Sequence, residues 1–154
     1  MRGMILLLGL LFWGCDTPHD PSLPYPMTLT SEGLGTLRAG ERFEASLIQG
    51  RFPGLGVEKL SQIVPQGAQT LFILKRHETA LGYVFPDKSG EAVAKITVIS
   101  PLIPDETGRK TGEVLPALPN IRCSGEECTL EHSPLRYRID PASRIIREIT
   151  LQKL

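Results

Sequence analysis

The chain has no surplus of charge. Seventeen Lys+Arg balance seventeen Asp+Glu, for a formal net charge of zero. A protein that coats nucleic acid carries a basic excess, so nucleic acid is not an expected partner. No stretch beyond the first few residues approaches 18 consecutive apolar positions, so no helical membrane span is predicted. Motifs of catalysis are missing too. The histidines are His19, His77 and His132, and none sits in H-x-x-x-H or H-E-x-x-H, which removes the usual zinc spacing. No Ser lies in G-x-S-x-G. Gly33-Leu34-Gly35 and Gly54-Leu55-Gly56 are too short to cradle a phosphate, and no Gly-Lys-Ser/Thr follows them. Asp105-Glu106 and Glu126-Glu127 are adjacent carboxylates in turn-like sequence and read as solvated. The expectation is a non-enzyme with no metal and no cofactor.

What is present is enough for one domain: 154 residues, 41% hydrophobic and 22% charged. Those values exclude wholesale disorder and collagen-like structure. Fifteen Gly and thirteen Pro predict many turns and few long helices.

The N-terminus carries the most specific signal. Arg2 precedes an apolar run from Met4 to Trp13, followed by Gly14-Cys15. As a helix that run reaches about 15 Å, half of a bilayer core of about 30 Å. It therefore reads as the apolar region of a secretory signal peptide, residues 1–14. Phe12-Trp13-Gly14-Cys15, with Leu11 before it, resembles the lipobox of bacterial lipoproteins. A small residue before the Cys admits the peptidase, and the Cys15 thiol accepts a diacylglyceryl group. Two or more acyl chains hold stably where one is marginal. Asp16 resembles an inner-membrane retention signal, a rule that varies between bacterial groups and leaves the choice of inner or outer membrane open. Residues 15–26 then carry Pro18, Pro21, Pro24 and Pro26. Such a segment favours polyproline II, and at about 3.1 Å per residue its eleven residues after Cys15 reach roughly 34 Å. The expected layout is a lipid anchor at Cys15, a tether, and a periplasmic domain over 27–154.

With Cys15 lipidated, Cys123 and Cys128 remain as a pair flanking Ser124-Gly125-Glu126-Glu127. C-x₄-C is not a thioredoxin-like spacing, and no second Cys/His pair stands at ligand distance. A structural disulfide across a hairpin in an oxidising compartment is the prediction.

Along the domain, Met27–Thr30 alternates weakly as an edge strand and Gly33-Leu34-Gly35 reads as a turn. Glu41–Gln49 reads as a helix, with Phe43, Leu47 and Ile48 on one stripe. The period then becomes two. Residues 57–64, 69–77, 81–85 and 92–99 read as strands. A second cycle follows: a turn at 104–108, helical turns over 112–118, and strands at 121–123, 128–131, 135–139 and 145–151. Tyr83-Val-Phe85-Pro-Asp-Lys-Ser with Lys95-Ile-Thr-Val98 parallels Tyr137-Arg-Ile139-Asp-Pro-Ala-Ser with Glu148-Ile-Thr-Leu151. The fold class is therefore α+β, mainly antiparallel sheet with one or two short helices. Its halves, 27–100 and 101–154, read as a degenerate duplication of a helix-plus-four-strand unit. Arg136 and Arg138 alternate with apolar residues, and Arg144 and Arg147 follow. They read as an ordinary charged strand face, or as a basic patch toward anionic lipid or polymer.

Three blocks resemble the RpoE-regulated lipoprotein family, envelope proteins of no assigned activity. They are Ser31-Glu-Gly-Leu-Gly-Thr-Leu37, Ala94-Lys-Ile-Thr-Val98 running into Ile103-Pro-Asp-Glu-Thr-Gly-Arg-Lys-Thr-Gly112, and the later Cys pair with the Tyr137 strand. Gly108 and Gly112 are expected at positive φ in a tight strand-to-helix turn. The resemblance implies an envelope lipoprotein with a β-rich domain, linked to envelope stress, and no catalytic residues. Two functions follow as expectations: a membrane-tethered binding or assembly module with an envelope partner, and a periplasmic inhibitor of a cell-wall or other hydrolase. The second rests on a likeness of architecture to β-lactamase-inhibitory proteins.

Overall fold

A computed structural model describes residues 23–153. The signal-peptide run, Cys15, Asp16 and His19 lie outside the described residues. Described elements are β1 (Gly33–Leu34), β2 (Leu37–Arg38), α1 (Ala45–Arg51), β3 (Gly56–Val64), β4 (Gly67–Arg76), β5 (Thr79–Pro86), β6 (Val93–Val98), β7 (Ile121–Ser124), β8 (Glu127–Leu130), β9 (Leu135–Ile139) and β10 (Ile146–Gln152). β3 to β10 form one sheet in the order β3-β4-β5-β6-β10-β9-β8-β7, antiparallel at every junction. Two four-stranded meanders thus meet through their last strands. The architecture is mainly antiparallel β with a single short helix among the described residues.

Alternation sorts side chains onto two faces. One face buries Phe72, Leu74, Val84, Ile96, Val98, Leu135, Tyr137, Ile149 and Leu151. Over it lie α1, the N-terminal segment and the loop from Ile99 to Asn120, contributing Met27, Leu29, Ile48, Phe52, Ile103 and Leu115 to the same core. Full burial of such side chains stabilises by about 1.5–3 kcal/mol each. Leu23 and Tyr25, placed in the tether by the sequence reading, pack against this core.

The helix begins later than its apolar stripe predicts. Residues 40–43 are drawn into strand-like pairing with the β5–β6 turn: Gly40 N–H donates to Val93 O at 2.7 Å and Phe43 N–H to Glu91 O at 2.7 Å. Glu44 is consequently extended and caps a helix at Ala45–Arg51, whose Ile48 is buried. The Gly33 region is also more than a turn. β1 and β2 pair around it, and Leu29 bridges both Leu34 and Asp105.

The second helix is absent: 112–118 is turn and extended chain. Its amides pair across the β9–β10 turn instead, Gly112 N–H donating to Ile146 O at 2.8 Å and Leu115 N–H to Arg144 O at 2.9 Å. Pro116 and Pro119 have no amide to continue a helix. Gly108 and Gly112 do take positive φ, 86° and 89°, but in turns that lead to extended chain rather than to a helix. A side chain there would adopt a left-handed conformation that costs about 1–3 kcal/mol.

Candidate functional site

Opposite the core, the second face of the sheet carries no covering layer among the described residues. Register places Leu60 and Gln62 of β3, Leu71 of β4, Tyr83 and Phe85 of β5, Lys95 and Thr97 of β6, Glu148, Thr150 and Gln152 of β10, and Arg136 and Arg138 of β9 on it. A right-handed twist accumulates across so many strands. These residues, with Ser124 and Glu127 beyond them, line a single open trough of about 760 Å³.

The trough is divided by chemistry. Its β3–β5 side is apolar and aromatic: the Tyr83 and Phe85 rings lie 6.4 Å apart between centroids, and Leu71 is almost fully covered. At the middle, Lys95 Nζ sits 4.1 Å above the Phe85 ring, and the Thr97 and Thr150 hydroxyls hydrogen-bond. The far side is charged. Arg136 pairs with Glu127 at 2.9 Å, and Arg138 with Glu148 at 2.7 Å. Both are exposed pairs, a kind worth at most about 1 kcal/mol, so either arginine can exchange its carboxylate for another at little cost.

The four arginines singled out from sequence do not converge. Arg136 and Arg138 lie in the trough. Arg147 stands at the irregularity between Ile146 and Glu148 of β10 and pairs with Asp140 at 2.6 Å. Arg144, at φ 62°, turns back onto the chain and donates from Nε to Leu115 O at 3.0 Å. Cys123 and Cys128 are directly opposed on β7 and β8, with their sulfurs bonded at 2.02 Å. His132 is exposed in a turn. His77 occupies the β4–β5 turn at φ 54°. No group of three or more His, Cys, Asp or Glu among the described residues could hold a metal.

One polar centre was not legible in the sequence. Asp105, read as solvated, is 1% exposed. Its Oδ1 accepts from the Thr107 amide at 2.8 Å, the Thr107 hydroxyl at 2.6 Å and the Arg109 amide at 3.0 Å. Its Oδ2 accepts from the Tyr137 hydroxyl, to which Arg109 also donates at 3.3 Å. Burial, and then the bond to Asp105, push the Tyr137 phenol above its ordinary value. Both carboxylate oxygens accept from donors of the same chain. The cluster joins the loop after β6 to β9, and it lies within the fold rather than in the trough. The Asp-x-Thr-x-Arg spacing signals only the local part, an Asx-type turn closing on its own amides.

No family model and no curated protein matches this chain. Among solved structures, it is similar to the uncharacterized protein yfeY from Escherichia coli. The TM-score is 0.67 at 16% sequence identity, covering 82% of this chain and 99% of that one. At that identity the likeness establishes the fold alone.

Proposed function

We propose that this chain is a non-catalytic binding module of the bacterial envelope, anchored through lipid on Cys15, and that the trough is its binding surface. The supporting observation is the uncovered sheet face, with aromatic rings at one side and exchangeable arginines at the other. Rigid aromatics and arginine are the residues that dominate protein recognition. Their placement favours a protein partner presenting an apolar side chain flanked by a carboxylate. The anchor rests on Gly14-Cys15 and the apolar run before it. Membership of the RpoE-regulated lipoprotein family, and the link to envelope stress, rest on the three sequence blocks and remain part of this proposal. So does the duplication: the two resembling blocks fall on the third and fourth strands of their respective meanders.

Two experiments test the reading. Labelling cells with a clickable palmitate analogue is expected to mark the wild-type chain and not Cys15→Ala; an unlabelled wild type overturns the anchor. A photo-crosslinking residue at Gln62 or Gln152 is expected to capture a discrete envelope protein, while one at Lys110 does not. Tyr83→Ala and Arg138→Glu should abolish that capture with the fold intact. Capture that survives both substitutions, or equal capture at Lys110, overturns the site.

A second reading, inhibition of a periplasmic hydrolase, uses the same trough and draws on the architectural likeness given above. It requires the captured protein to be a hydrolase whose turnover falls when the chain is added.

A further inference from the structure

The two edges of the sheet are unlike. β7 is short, four residues; it carries Arg122 and is bonded to β8 through Cys123. Short length and charge are standard protections against pairing with another chain. β3 has neither protection along its outer half. It is nine residues long and pairs with β4 from Gly56↔Lys75 to Val64↔Gly67 without a register shift, leaving its other side unpaired in the sheet. No charged side chain occurs from Leu60 to Leu71, a run that covers the end of β3, its turn and the start of β4. Ile63 is 93% exposed and Leu60 39%. A long, regular edge whose last five residues carry no charge and include a bare isoleucine is a template for strand addition.

We infer that β3 is a self-association edge, and that its occupant is β3 of a second copy of this chain in antiparallel two-fold pairing. The charge pattern favours a second copy. A register centred on Ser61 sets Leu60 opposite Gln62, Lys59 opposite Ile63 and Glu58 opposite Val64 of the second copy. No like charges meet, the centre is uncharged in both strands, and the Lys59 stem covers the exposed isoleucine. Pairing continues one sheet across both molecules and sets their two troughs side by side, because Leu60 and Gln62 lie on the trough face. An interface of one strand pair falls below the roughly 1,200 Å² of stable complexes, so the dimer belongs to the weak, reversible class.

Sedimentation velocity of the full-length chain over a concentration series tests this. The wild type is expected to approach twice the monomer mass as concentration rises. Ile63→Lys should weaken association at least about tenfold, by placing a charge on the edge, with an unchanged far-ultraviolet spectrum. Ser61→Cys should yield a covalent dimer on oxidation, whereas Ser89→Cys, in the exposed β5–β6 turn, should not. A wild type that stays monomeric throughout, an Ile63→Lys variant that associates as well as wild type, or equal cross-linking at residues 61 and 89 overturns the inference.

Discussion

The Thr97 and Thr150 hydroxyls meet 3.0 Å apart across the junction of β6 and β10. They are directly opposed in register, between Val98↔Ile149 and Ile96↔Leu151. This seam is where two local meanders become one sheet, and it joins residues far apart in sequence. The hydroxyls face the trough while their neighbours in the strands face the core.

The pair predicts a measurable coupling. Thr97→Val should cost about 1 kcal/mol, because it leaves the Thr150 hydroxyl without its partner. Combining Thr97→Val with Thr150→Val should cost less than the sum of the single changes, since both polar groups are then gone. Urea unfolding of the four proteins measures the coupling.

The Asp105 cluster predicts a graded loss. Asp105→Ala strands the Tyr137 hydroxyl and the donors at Thr107 and Arg109, for about 3 kcal/mol or more. Tyr137→Phe removes one of the bonds and should cost about 1–2 kcal/mol. The native phenol is raised, and the unfolded one releases its proton near pH 10. Stability from this group is therefore full below about pH 10 and is lost as pH rises toward the native value. Tyr137→Phe should flatten the alkaline limb of a stability–pH profile.

The disulfide predicts an asymmetry. Loss of so small a loop closure costs about 2 kcal/mol, and Cys123→Ser should match chemical reduction. Cys128 is fully buried, whereas Cys123 is exposed. Cys128→Ser adds a hydroxyl to the core and should be the more damaging of the two, as read by thermal unfolding.

Acid behaviour follows from Asp140. The Ser143 and Ala142 amides, and then Arg147, hold its carboxyl below the usual range. As pH falls, the unfolded chain takes up this proton first. The stabilisation is present above about pH 4 and is lost as pH falls through the lowered native value. Asp140→Asn should be less stable than wild type at pH 7 and should lose less on acidification. Unfolding at pH 7 and pH 3 compares them.

Much of the strand content was legible because period-two alternation and turn residues are local signals. Residues 135–139 read as a strand, and β9 spans Leu135–Ile139; 57–64 corresponds to β3 at Gly56–Val64. The helical turns over 112–118 failed because the competing partner, the Arg144–Ile146 segment, is not adjacent in sequence. Helix α1 starts late for the same reason, since Glu91 and Val93 claim the residues before it. Asp105 looked like a loop carboxylate because nothing nearby in sequence reports that Tyr137 closes over it.

The trough was half visible. Alternation placed Arg136 and Arg138 on one side of a strand, and Tyr83 and Phe85 on one side of another. That these sides belong to one surface depends on the pairing of β6 with β10.

The amino-acid sequence by itself determined where strands and turns occur, which side of each strand is apolar, and that two cysteines stand across a short hairpin. These follow from backbone periodicity and turn chemistry, which act over a few residues. Tertiary structure alone decided the strand order, the burial of Asp105, the partners that take up the Gly112 and Leu115 amides and the joining of two half-surfaces into one trough. Each depends on backbone groups and side chains finding partners distant in the chain, and no local pattern encodes which partner prevails.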